Sequence, residues 1–135
     1  MKKFYLTGLY VILAAFFMAS CSHSKASGNY KLYVGTNDRE TYKIEIPIEE
    51  QKSILLEIIT RHTDGVTIYE TDGYWKDEKN NLTVEKTFVC EFMGITLDVV
   101  KKISADVLVE LNQNSVLLLE ETQKVQFLSR DTLLN

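Results

Sequence analysis

Cysteine, histidine and proline are scarce in this 135-residue chain, with two, two and one of each. Two cysteines cannot build the disulfide framework of a small secreted scaffold. Two histidines leave little material for a Ser–His or Cys–His pair. There is no Gly-rich phosphate loop, no His-Glu-x-x-His and no Gly-x-Ser-x-Gly. The acidic pairs Asp38/Glu40 and Asp77/Glu78 lack the alternating oxygens and central glycine of a calcium loop. No metal, cofactor or catalytic residue is therefore expected. Lys and Arg are not clustered, which argues against nucleic acid as a partner, because phosphate contacts need a basic patch.

What is present is concentrated first at the start. Lys2 and Lys3 precede an apolar run over residues 9–17, followed by Met18-Ala19-Ser20-Cys21. A cationic start, a short apolar stretch and small residues before the cut are the parts of a secretory signal. The run is shorter than the roughly 20 residues of a membrane span. Ala19-Ser20-Cys21 resembles a lipobox, in which the cysteine is acylated and the leader removed; Met18 stands where Leu is more usual. The expected organisation is a cleaved signal over 1–20, a lipidated tether over 21–29, a folded domain over 30–128 and a loose tail over 129–135. Two or more acyl chains on Cys21 would hold the protein stably on a membrane. Ser22, rather than Asp, follows the cysteine. By analogy with enteric sorting this favours the outer membrane of a two-membrane cell; in a one-membrane cell the address is the outer face of the cell membrane.

Removing the leader takes Lys2 and Lys3, leaving 13 of 15 basic residues against 19 acidic ones, a net charge of about −6. No basic run survives, which argues against an electrostatic grip on anionic lipid, and attachment falls to the acyl chains. Cys90 is left alone between Phe88 and Phe92, which marks it as a small buried apolar residue.

The remaining chain is long enough for one domain. Residues 30–35 alternate as a strand, and 42–46 read as an extended lead-in ending at Pro47. Ile54, Leu55, Ile58, Ile59 and His62 share one helical stripe, with Glu49 and Glu50 in its first turn. Gly65 is the expected left-handed stop, and His62 the expected helix-end residue. Residues 66–75 form a second strand and 82–93 a third, with Gly94 breaking the alternation. Thr96 caps a second helix with the stripe Val99, Val100, Ile103, Val107, Leu108 and Leu111. Residues 116–119 form a fourth strand and 124–128 a short fifth. The order β-α-β-β-α-β predicts an α+β, ferredoxin-like antiparallel sheet with two helices on one face, plus a short C-terminal strand.

Several short motifs recur in the order seen in one family: Tyr33-Val34-Gly35, Asp64-Gly65-Val66-Thr67, Gly73-Tyr74-Trp75-Lys76-Asp77, Asn114-Ser115-Val116-Leu117 and Val125-Gln126-Phe127. The chain resembles, over nearly all of 30–128, the bacterial secreted proteins and lipoproteins grouped as domain of unknown function 3574. The resemblance implies an extracytoplasmic domain and brings no established reaction. Members often carry Gln before the tryptophan, where this chain has Tyr74.

Alternation also sorts the side chains of the sheet. Leu82, Val84, Phe88, Cys90 and Phe92 point one way; Glu85, Thr87, Val89 and Glu91 point the other. Tyr33, Tyr69, Trp75 and Glu85 are expected to share the face that the helices leave open. Aromatic rings with a polar group suit a small-ligand site, and they equally suit a homodimer or an envelope-protein contact. Packing of the rings against one another and the tail is the third reading. The expected function is a membrane-anchored, non-catalytic binding or association module. The alternative is a small dimeric, monooxygenase-like enzyme with its pocket on the open face. Lipidation gives a direct measurement: a fatty-acid analogue fed to cells labels the wild-type chain and leaves Cys21→Ala unlabelled, read by in-gel fluorescence; equal labelling of the two refutes the anchor.

Overall fold

The computed structural model describes residues 27–76, 80–126, 128–130 and 133. The leader, Cys21, Asp77, Glu78 and Phe127 lie outside them. The elements are β1 (Ser27–Gly35), α1 (Ile48–Thr60), β2 (Thr67–Lys76), β3 (Leu82–Thr96), α2 (Leu97–Glu110) and β4 (Leu117–Glu121). The fold is α+β, with the strands in one antiparallel sheet of order β2-β3-β1-β4.

β1 is the inner strand between β3 and β4. Its Tyr30, Leu32 and Val34 sit opposite Phe92, Cys90 and Phe88 of β3. All six are buried, and α1 and α2 cover them with Leu55, Ile58, Ile59, Val100, Ile103 and Val107. Period two in the strands and period 3.6 in the helices thus meet in one core. Cys90 lies in its centre, and burial pushes its thiol up to about 12, which keeps it protonated and unreactive.

The helix ends follow local chemistry. Thr96 Oγ1 accepts from the Val99 amide at 3.4 Å and caps α2. Asn112, with φ of 46°, takes the left-handed turn after α2, and the Gln113 amide reaches back to the Leu108 carbonyl. α1 closes differently from expectation. It ends at Thr60, and the amides of Arg61, His62 and Thr63 bond the carbonyls of Glu57 and Ile59. Gly65 therefore has no cap to make and is absent from the left-handed residues. His62 follows the helix end and meets Asp106 of α2 at 2.7 Å, while Arg61 pairs with Glu110.

Four further expectations are corrected. β1 starts at Ser27, three residues inside the segment read as tether, because Ser27 and Gly28 pair with Thr96 and Ile95. Gly94 does not end β3. It takes a left-handed φ of 71° where the register shifts opposite Gly28/Asn29, and the strand runs on to Thr96. Residues 124–126 and 128 form no strand; the chain leaves the sheet after Glu121, and Asn29 Nδ2 donates to the Gln123 carbonyl at 2.6 Å instead. Residues 42, 43 and 46 are bends, with no strand over 42–46, and Tyr42 is left-handed rather than extended.

Leu82 and Val84 point to the helix side as expected, yet are 65% and 54% exposed. The β2–β3 hairpin runs past the end of β1, whose last residue Gly35 pairs with Thr87, so no layer lies above them. One strand face thus holds two environments. Phe88→Ala will lower unfolding free energy by about 3–5 kcal/mol in urea titrations, and Leu82→Ala on the same face by less than about 0.5 kcal/mol.

Candidate functional site

The sheet face opposite the helices carries odd-numbered residues of β1, β2, β3 and β4. Tyr33 lies between Val89 of β3 and Leu117 of β4, and Tyr69 of β2 lies on the other side of Val89. Val89 is buried although no helix covers it; the flanking side chains in its row shield it. Leu117 remains 65% exposed. Tyr33, Tyr69, Trp75 and Glu85 therefore do share one face, as expected, but in two groups.

The first group surrounds Lys31. Its ammonium lies 3.0 Å from Glu91 and 3.1 Å from Glu121, and the Tyr69 hydroxyl donates to Glu91 at 3.2 Å. The hydrogen bond from Lys31 holds the Glu91 carboxyl below the ordinary range. Desolvation, then the nearby Glu91 charge, raises the Tyr69 phenol. Tyr69 is thus tied into a charge network rather than standing free.

The second group centres on Glu85. Oε2 accepts from the amides of Thr36 at 3.2 Å and Asn37 at 3.1 Å, and Oε1 accepts from Trp75 Nε1 at 3.0 Å. Glu85 sits opposite Gly73 and beyond the end of β1. A Cβ at Gly35 would lie 2.7 Å from Glu85 Oε1, and a Cβ at Gly73 would lie 2.5 Å from Thr87 Oγ1. The missing side chains are what let Glu85 and Thr87 occupy this space. Gly35 thus makes room for the Glu85 carboxylate, and Gly73 for the Thr87 hydroxyl.

Loop 36–47 supplies the rest. The buried Gln51 amide of α1 donates to the carbonyls of Thr36 at 2.9 Å and Ile46 at 2.7 Å. The Gln113 amide, just after α2, donates to Asn37 and Leu111 carbonyls. Asp38 Oδ1 accepts from the Glu40 and Thr41 amides and Oδ2 from Asn112 Nδ2, which together lower the Asp38 carboxyl, the Asn112 bond most. Tyr42 is fixed by its own amide to the Asp38 carbonyl at 2.9 Å. Its φ is 55°, a left-handed conformation that costs a bulky residue on the order of 1–3 kcal/mol and needs such support. The ring is 54% exposed, with its centroid 6.0 Å from Trp75 and a tilt of 45°.

Sequence reasoning found Trp75 and Glu85 but missed Tyr42, Gln51 and the two amides. Gln51 carried a signal: it falls one turn before Leu55 on the apolar stripe, where a polar residue needs a buried partner. Tyr42 carried none, since its conformation depends on Asn112, 70 residues away in sequence. Glu85→Ala leaves three N–H donors without an acceptor. It will raise hydrogen exchange at Thr36 and Asn37 and shift Trp75 emission to the red, while exchange at Leu32 and Cys90 stays as in wild type.

Comparison with known proteins gives one family and a fold. The family described as "Protein of unknown function (DUF3574)" matches residues 29–127. A phage SAM lyase in complex with S-methyl-5′-thioadenosine is similar in structure, with a TM-score of 0.53 and 15% identity, over 69% of this chain and 78% of that one. The apo state of a phage SAM lyase gives the same TM-score and identity over 73% and 83%. At this identity the likeness is one of fold. No curated protein matches.

Proposed function

We propose, from the premise that this chain belongs to the DUF3574 family, that it is a lipid-anchored envelope protein whose ferredoxin-like domain binds or associates through the helix-free sheet face. The ferredoxin-like reading is supported by the order β-α-β-β-α-β and by the two crossovers, each of which skips one strand: β3 lies between β1 and β2, and β1 between β3 and β4. The anchoring rests on Lys2, Lys3, the apolar run and Ala19-Ser20-Cys21. Among the described residues no helix is long and apolar enough to cross a membrane. In this reading attachment falls to acyl chains on Cys21.

The observation that carries the binding role is the apolar and aromatic content of a face that no helix covers. Leu117, Leu119 and Tyr69 are exposed there beside Tyr33 and the buried Val89. A small dimeric enzyme on the same face is the second reading. It is favoured by Glu85, a fixed carboxylate beside an indole, and it requires a second copy to close a pocket.

Site-specific photo-crosslinking in cells tests the role. A photoreactive residue at Leu119 will capture a second copy or another envelope protein, identified by mass; one at Val109, exposed on α2, will capture neither. Equal capture from both positions, or none from Leu119, removes the proposal. Capture of a second copy together with an enclosed pocket in the dimer would favour the enzyme.

A further inference from the structure

Glu85 is set apart from its neighbours by what holds it. Glu70, Glu91 and Glu121 each face a lysine. Glu85 is fixed by three neutral N–H donors, and among the described residues no cation pairs with it. Its position is determined, and no described cation matches its charge. Beside it stands Trp75, and beside Trp75 the ring of Tyr42, the two oriented by separate means. Trp75 is turned by its Nε1–H to Glu85, and Tyr42 is held in a left-handed conformation by the Asp38 turn. The tilt of 45° opens a corner between them. With the centroids 6.0 Å apart and Tyr42 exposed, one cation can come within about 6 Å of both rings, the range of a cation–π contact.

We propose that Tyr42, Trp75 and Glu85 form a binding site for an alkylammonium group. The indole face is the strongest aromatic partner for a cation. Donation of its N–H to a carboxylate adds electron density to that face. The Glu85 carboxylate, paired with no described cation, then gives the ammonium a counter-ion that is already oriented, so binding does not have to order it. The net charge of about −6 after leader removal draws cations toward the surface. A neutral ligand would use the rings but not the charge, and an anion would be repelled. The group could arrive as a free quaternary amine or as a lysine side chain; the chemistry at the corner is common to both. The inference deepens the binding role proposed above and rests on it.

Trp75 is the sole tryptophan of the chain, so its fluorescence reports on this corner alone. Full-length lipidated protein in a neutral detergent is titrated at constant ionic strength with choline and with 3,3-dimethylbutan-1-ol, which has the same shape and no charge. Choline will give a saturable change in emission and the alcohol none. Glu85→Gln removes the charge and keeps one carbonyl oxygen, which can serve the Thr36 and Asn37 amides but not Trp75 Nε1–H as well, and will weaken choline binding roughly tenfold; Tyr42→Leu will weaken it about two- to fivefold. Acetyl-lysine amide against its norleucine counterpart separates the sources: a response to lysine assigns a side chain, and a response to choline alone a free amine. Equal binding of the alcohol, no response to either cation, or unchanged choline affinity in a folded Glu85→Gln overturns the site. If Glu85→Gln loses its far-ultraviolet circular dichroism, Tyr42→Leu decides, and unchanged affinity there overturns it. Loss of the choline response with crosslinking from Leu119 intact would remove the ligand and leave the association.

Discussion

β1 is hydrogen-bonded on both flanks, to β3 over Ser27–Gly35 and to β4 over 29–33, and its side chains alternate between two unlike environments. Tyr30, Leu32 and Val34 are buried against the helices, while Lys31 and Tyr33 stand on the other face. A slip of one residue would put lysine in the core and leucine outside. The register is therefore fixed by burial, and what it fixes extends beyond β1. The same alignment sets Tyr33 beside Val89, Lys31 between two glutamates, and the end of β1 at Gly35, where Glu85 folds over.

The two faces of the sheet are not independent. Glu85 is on the face without helices, yet the amides that hold it belong to a loop clipped by Gln51 on α1 and Gln113 just after α2. Asn112 adds a third link through Asp38. The helix layer thus positions a carboxylate on the opposite side of the molecule. Gly35 and Gly73 complete the arrangement by leaving space rather than by making contacts. The group around Lys31 needs none of this. Its three charges and one phenol project directly from β1, β2, β3 and β4.

How much was legible in the sequence differs by element. The helices declared themselves because Leu55, Ile58, Ile59 and Val100, Ile103, Val107 repeat at helical spacing. Alternation placed Tyr33, Tyr69, Trp75 and Glu85 on one face, since side is a local property of a strand. Whether a side is covered is not local: Leu82 and Phe88 have the same parity, and only the overhang of the hairpin separates them. Tyr42 was misread for a related reason. Its alternation with Ile44 and Ile46 imitates a strand, and the turn that overrides it is built from Asp38 and Asn112 across the chain. The tail shows the limit of apolar pattern alone: the chain leaves the sheet after Glu121, and residues 124–126 form no strand although the outer edge of β4 is unpaired among the described residues.

The position of Ser27 at the start of β1 has a mechanical meaning. A pull applied at Ser27 along the axis of β1 runs parallel to the strand. Hydrogen bonds of an antiparallel ladder lie across that direction, so they are loaded in shear, and those to β3 and β4 are loaded together. Peeling one bond at a time would require the force to act from the side, at an edge such as β4. A domain held at Ser27 is thus held by a strand paired on both flanks, and the hairpin and the aromatic corner lie at the far end of that strand, off the line of load.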